Sequence, residues 1–129
     1  MKIEHMAINV EKPTEMVQWY VDNLGMKIAR ANNDANETFF IVDDAGRVVI
    51  EVYNNPASPM PDYAAMNPFM FHIAFSVTDI ESERNRLAAA GAIGVGQITT
   101  TPANDQLLFL RDPWSVPLQL VKRATPLMG

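Results

Sequence analysis

The chain has 129 residues, 48% of them hydrophobic and 19% charged, with no cysteine, a composition that fits one globular domain and excludes disulfides and thiolate metal sites. Ten Lys and Arg against fifteen Asp and Glu give a net charge of −5, which opposes phosphate neutralisation and removes nucleic acid from the expected partners. No apolar run approaches the ~18 residues of a membrane span, and Met1-Lys2-Ile3-Glu4-His5 is too polar for a secretory core, so the sequence reads as cytoplasmic, with no membrane partner.

From the N-terminus, Ile3 to Val10 alternates as a strand does. Pro13 suits a first helical position, Met16, Val17, Tyr20, Val21 and Leu24 recur at helical spacing, and Gly25 offers a left-handed stop, so a helix is expected over this stretch. Strands follow over 26–31, 37–42 and 47–53, separated by the turn-forming clusters Asn32-Asn33-Asp34 and Asp43-Asp44-Ala45-Gly46. Pro56, Pro59, Pro61 and Pro68 then remove too many backbone donors for helix or central strand, and 55–68 is expected to be a linker. Beyond it, Phe69 to Val77 is strand-like, and Thr78-Asp79-Ile80-Glu81 has capping-box form, opening a helix through Leu87 that stops near Gly91. Val95 to Thr101, Gln106 to Leu110 and Pro117 to Lys122 are the remaining strands. The order is βαβββ twice, which makes residues 1–129 a single α+β domain of two modules, 1–54 and 69–123.

The modules align residue by residue. His5-Met6-Ala7-Ile8-Asn9-Val10 matches His72-Ile73-Ala74-Phe75-Ser76-Val77, and Val49-Ile50-Glu51-Val52 matches Pro117-Leu118-Gln119-Leu120. Tandem copies of a half-domain that cannot bury its own sheet face should pack as a pseudo-symmetric pair. The two histidines of the chain fall at equivalent positions of the two first strands, and each last strand carries one polar residue, Glu51 or Gln119, among apolar neighbours. Period-two alternation turns Glu51 away from Ile50 and Val52.

His5, Glu51, His72 and Gln119 together offer two imidazole nitrogens and two oxygens, a donor set for a divalent cation such as Zn, Ni, Co, Mn or Fe(II). Two His and one carboxylate also match the ligand types of non-haem Fe(II) sites. Taken singly, a strand histidine is more often a hydrogen-bonded structural residue; the repeat register is what favours the metal reading. Met60, Met66 and Met70 fit gap filling or pocket lining, Trp19 and Tyr20 fit packing of the first helix, and Asp112-Pro113-Trp114-Ser115 fits a structural turn. Neither a phosphate loop nor a nucleophile motif is present.

With these residues the chain resembles the vicinal oxygen chelate superfamily, which includes glyoxalase I, methylmalonyl-CoA epimerase, extradiol dioxygenases, and fosfomycin- and bleomycin-resistance proteins. The resemblance rests on the tandem βαβββ order, the His5 to Val10 start, Trp19-Tyr20-Val21-Asp22-Asn23-Leu24-Gly25-Met26, and the ending from Leu110 to Lys122. It implies that the modules form an incompletely closed, pseudo-twofold mixed β-barrel with flanking helices, and that His5, Glu51, His72 and Gln119 are the metal ligands. The implied function is a divalent-metal-dependent glyoxalase-like lyase, isomerase or epimerase that chelates a small substrate through vicinal oxygens and stabilises an enolate or oxyanion. The alternatives it carries are a metal-free small-molecule binding protein of the bleomycin-resistance type and an extradiol-type dioxygenase. Gln119 stands where glyoxalase-like relatives often have a basic Glu, so Glu51 becomes the candidate catalytic base. Ser115 and Val116 replace the Gly and Asn common in the final turn. Relatives commonly pair, and a homodimer is expected here, with 55–68 as a crossover or a lid.

Overall fold

Residues 1–128 are described by a computed structural model, which divides into two compact units, Met1–Pro61 and Asp62–Gly129. The first unit contains β1 (Met6–Asn9), α1 (Pro13–Leu24), β2 (Lys27–Ala31), β3 (Phe39–Val42) and β4 (Val49–Tyr53). The second contains a 3-10 turn (Tyr63–Ala65), β5 (Ile73–Ser76), α2 (Ile80–Ala89), β6 (Ile93–Thr100), β7 (Gln106–Arg111) and β8 (Pro117–Lys122). The strand orders β1-β4-β3-β2 and β5-β8-β7-β6 are the same topology twice, and each sheet is mixed, four-stranded and open. The first strand of each unit pairs in parallel with the last, which is antiparallel to the third. This is the α+β arrangement expected from the βαβββ repeat. Among the described residues no helix is long and apolar enough to cross a membrane.

Local sequence explains the helices. Pro13, Met16, Val17 and Tyr20 form the buried stripe of α1, which packs on β3 and β4, whose buried residues are Ile41, Ile50 and Val52. Gly25 ends α1 at φ 69°, a left-handed conformation in which its amide donates to the Tyr20 carbonyl. In the second unit α2 lays Ile80 and Leu87 against a core of Leu108, Leu110, Leu118 and Leu120. Its cap corrects the expected capping box: Asp79, in extended conformation, is the N-cap and accepts from Ser82 N–H, so Thr78 lies outside the helix.

Several strands are shorter than alternation alone suggests, because side chains claim the flanking amides. Asp34 accepts from both the amide and the hydroxyl of Thr38, so β3 begins at Phe39. Asp43 accepts from the amides of Arg47 and Val48, so β4 begins at Val49. At the other extreme, β8 is buried from Pro117 to Val121 on both faces, where half-burial was expected. Met70 is 75% exposed and fills no gap.

The hairpin joining β6 to β7 is tied to the chain beyond β8. Asp105 accepts from the Ala124 amide and the Arg123 guanidinium, and these bonds, the amide first, lower its pKa. A carboxyl with a lowered folded-state pKa adds stability that is complete above its unfolded value of about 3.9 and is lost as pH falls through the folded value. Asp105→Asn is therefore expected to lower the Tm at neutral pH by a few degrees at most, with the gap to wild type closing below about pH 4. Thermal scans from pH 7 to pH 2 test this, and a gap that persists unchanged in acid would contradict it.

Candidate functional site

Sheet register places the site residues. Across the first sheet, Ala7 pairs with Glu51 and Glu51 with Phe40, so these side chains share the face turned away from the buried Ile41, Ile50 and Val52. Across the second, Ala74 pairs with Gln119 and Gln119 with Phe109. His5 and His72 each stand one residue before the first strand of their unit and two residues before Ala7 or Ala74. Two residues along an extended chain return to the same face.

In the first unit this brings His5 and Glu51 together. His5 Nε2 lies 3.6 Å from Glu51 Oε1, with the side chains 34% and 22% exposed. The other ring nitrogen, Nδ1, donates to the Glu4 carboxylate, and the ring meets Phe40 edge-on with centroids 5.6 Å apart. The hydrogen bond to Glu4 is the largest cause of a raised His5 pKa; desolvation opposes it, and the Glu4 and Glu51 charges add to the rise.

The second unit repeats the pattern with different partners. His72 Nδ1 donates to the Pro68 carbonyl at 2.8 Å, and the ring meets Phe109 edge-on at 5.2 Å. A carbonyl only accepts, so Nδ1 carries the proton and Nε2 keeps its lone pair in the neutral ring. Gln119 is 9% exposed, and no hydrogen bond engages its amide among the described residues. Nor is that amide sealed off, since among the described residues no buried side-chain polar atom lacks a partner.

Arg111 holds the segment before His72 in place. Its guanidinium donates to the carbonyls of Tyr63, Met66 and Ser115, so the 62–68 stretch is tied down at Tyr63 and Met66. Phe69, 83% exposed, packs its ring edge-on against Phe109 at 5.2 Å.

These arrangements bear on whether the four residues suit an ion. Holding Nδ1 with an acceptor, so that Nε2 is the ring nitrogen left to bind, is how metal-binding histidines are oriented. Two donors each about 2.1 Å from one tetrahedral ion stand about 3.4 Å apart, close to the 3.6 Å between His5 and Glu51. The residue types are those that bind a divalent ion, and the His5–Glu51 spacing is compatible with two ligands of one ion. Among the described residues no three His, Asp or Glu side chains gather closely enough to hold one.

Sequence reasoning missed Phe40 and Glu4 beside His5 in the first unit, and Phe109 and the Pro68 carbonyl beside His72 in the second. For the aromatics a signal existed: Phe40 and Phe109 lie 69 residues apart, close to the 67 between His5 and His72, in equivalent third strands.

The profile of the Glyoxalase/Bleomycin resistance protein/Dioxygenase superfamily matches residues 2–120. Among solved structures, a glyoxalase family protein from Bacillus cereus is 17% identical, covering 97% of this chain and 95% of its own, with a TM-score of 0.80. An antibiotic binding protein from a Streptomyces species is 15% identical over 96% of this chain and 99% of its own, with a TM-score of 0.69. A genomically encoded fosfomycin resistance protein from Listeria monocytogenes is 12% identical over 98% and 94%, with a TM-score of 0.70. At these identities the likeness is one of fold. No curated protein matches the sequence.

Proposed function

Because the chain belongs to the Glyoxalase/Bleomycin resistance protein/Dioxygenase superfamily, we propose that it is a divalent-metal-dependent enzyme of the lyase, isomerase or epimerase type, with His5, Glu51, His72 and Gln119 as the ligands. The observation that supports this best is the matched histidine pair. Each ring has Nδ1 bound to an acceptor, which leaves Nε2 as the donor. An oxygen-bearing side chain occupies the same register position in each unit, a carboxylate 3.6 Å from His5 in one and a hydrogen-bond-free amide in the other.

A divalent ion held there would accept two vicinal oxygens of a small substrate and stabilise the negative charge that develops on them. The chain's own residues supply the rest. Glu4 and Pro68 fix the imidazoles, so that little reorganisation is needed when substrate binds. Glu51 is the base that takes the substrate proton, because the amide of Gln119 lacks useful basicity near neutral pH. Phe40 and Phe109 give the site apolar walls beside each imidazole.

A second reading, a metal-free binding protein for an apolar or aromatic ligand, is favoured by the Phe69, Phe109 and His72 rings, which meet edge to face with Phe69 largely exposed. Elemental analysis separates the two. Protein stripped with chelator and reconstituted with Ni²⁺, Zn²⁺, Mn²⁺ or Fe²⁺ is expected to retain about one equivalent of one of them after desalting, as a single site would. Failure to retain any, with Tm raised instead by aromatic ligands, would replace the first reading with the second.

A further inference from the structure

The two units agree at the histidine, the aromatic and the Glu or Gln positions, but they differ one strand further out. The neighbour of Phe109 on β6 is Val95, whereas the neighbour of Phe40 on β2 is Arg30. The cause is an interruption in the ladder of the first unit. Lys27 pairs with Val42 and Ile28 with Ile41, a register that would continue as Ala29 with Phe40 and Arg30 with Phe39. Instead Ala29 is passed over and pairing resumes as Arg30 with Phe40 and Ala31 with Phe39. One extra residue reverses the face of everything after it, so the bulge turns Arg30 from the face of Phe39 and the buried Val52 to the face of Glu51. In the second unit the irregularity falls after Val95 and shifts the register by two, which reverses nothing.

On that face the Arg30 guanidinium lies 5.8 Å from the centroid of the Phe40 ring, the ring whose contact with His5 was described above. Among the described residues no carboxylate or carbonyl bonds to it, unlike Arg86, Arg111 and Arg123; Arg47 and Arg84 also make no such bond, but neither stands over an aromatic ring on the Glu51 face. Stacking on a ring leaves the edge of a guanidinium, with its fork of N–H donors, open to a planar anion. Phe40 separates Arg30 from Glu51, a span of two strand spacings or about 10 Å. That is too far for the two to neutralise each other and short enough for one small molecule to bridge.

We infer that Arg30 binds a carboxylate of the substrate chelated at His5 and Glu51, which makes the substrate class a vicinal-oxygen compound carrying a separate carboxylate. The inference rests on the chelating centre proposed above. A bulge that spends an extra residue to place an unpaired cation beside that centre, with Val95 in the equivalent place, marks a feature of binding and not of the repeat.

Protocatechuate and its methyl ester present the same vicinal diol, and only the first carries a free carboxylate. Each is titrated calorimetrically into Ni²⁺-loaded wild type and Arg30→Gln, with nickel content measured on every sample. Wild type is expected to bind the acid on the order of tenfold more tightly than the ester, as one charge-assisted bidentate contact supplies. Arg30→Gln should keep its nickel and its affinity for the ester and lose the preference, and Arg30→Lys should restore part of it. Equal binding of both probes by nickel-loaded wild type, or a preference that survives in Arg30→Gln, would overturn the inference and leave the metal centre standing. Protein that retains none of Ni²⁺, Zn²⁺, Mn²⁺ or Fe²⁺ would overturn both, whereas loaded protein that binds neither probe would overturn this inference and leave the metal centre standing.

Discussion

His72→Ala and His5→Ala are each expected to abolish retention of the metal ion, although the two residues belong to different units. Each variant removes an imidazole whose Nδ1 is already committed to an acceptor, so nothing else about the ring has to change for Nε2 to be missed. Loss of a partner that merely orients a ligand costs about 10–100-fold in affinity. Glu4→Gln should fall in that range, and loss of the ligand itself should exceed it. Glu51→Gln should retain part of the metal affinity through its amide oxygen and lower turnover by about 10²–10⁴-fold, the usual effect of losing a general base. Elemental analysis beside circular dichroism checks the first expectations, and rates on the first substrate found for the loaded protein check the last. If His72→Ala bound its equivalent as tightly as wild type, the second unit would contribute no ligand, and a centre built from His5 and Glu51 alone would have to replace the proposed one.

The second large effect is on stability. Asp112 is fully buried, and its carboxylate accepts from the amides of Trp114 and Val116, both at 2.9 Å. Its backbone closes the same turn: its carbonyl accepts from Ser115 N–H and its amide donates to the Val116 carbonyl. Ser115 stands in the left-handed region at φ 71° without the freedom of a glycine, so the side-chain bonds of Asp112 help to hold a conformation the local sequence disfavours. Asp112→Ala would leave two amides without acceptors at the start of β8, and a cost of about 2–4 kcal/mol is expected from two such losses. Asp112→Asn keeps an acceptor oxygen in the same place and should cost less than half as much. Urea denaturation of both variants measures this, and an Asp112→Ala loss below about 1 kcal/mol would show that water replaces the carboxylate. Because β8 carries Gln119 only seven residues beyond Asp112, the same turn also sets where that amide lies.

Much of the architecture was legible without coordinates. The helices declare themselves in the 3.6-residue recurrence of Met16, Val17 and Tyr20 and in Gly25, and the tandem order follows from matching His5 with His72 and Glu51 with Gln119. These signals are local or repeated, so a short window is enough to carry them. The strand ends were not legible in the same way. Whether Arg47 and Val48 join β4 depends on a carboxylate four and five residues back that captures their amides, and Asp79 rather than Thr78 caps α2 because of backbone conformation at a single residue.

At the site, residue types and register positions came from the sequence, which put His5, Glu51, His72 and Gln119 in equivalent places and made Gln119 the exception among possible bases. Tertiary structure alone decided which nitrogen of each imidazole is held by an acceptor, since that depends on Glu4 and on a backbone carbonyl at Pro68. It also decided that Phe40 and Phe109 face the histidines, which requires β3 and β7 to be in register with β4 and β8. Arg30 shows the division most sharply. Alternation read through β2 would turn it toward the Phe39 face, and one bulged residue, fixed only by the pairing of β2 with β3, turns it to the face of Glu51. Periodicity is a property of one segment, whereas register and hydrogen-bond partners belong to pairs of segments, and only the folded chain brings the pairs together.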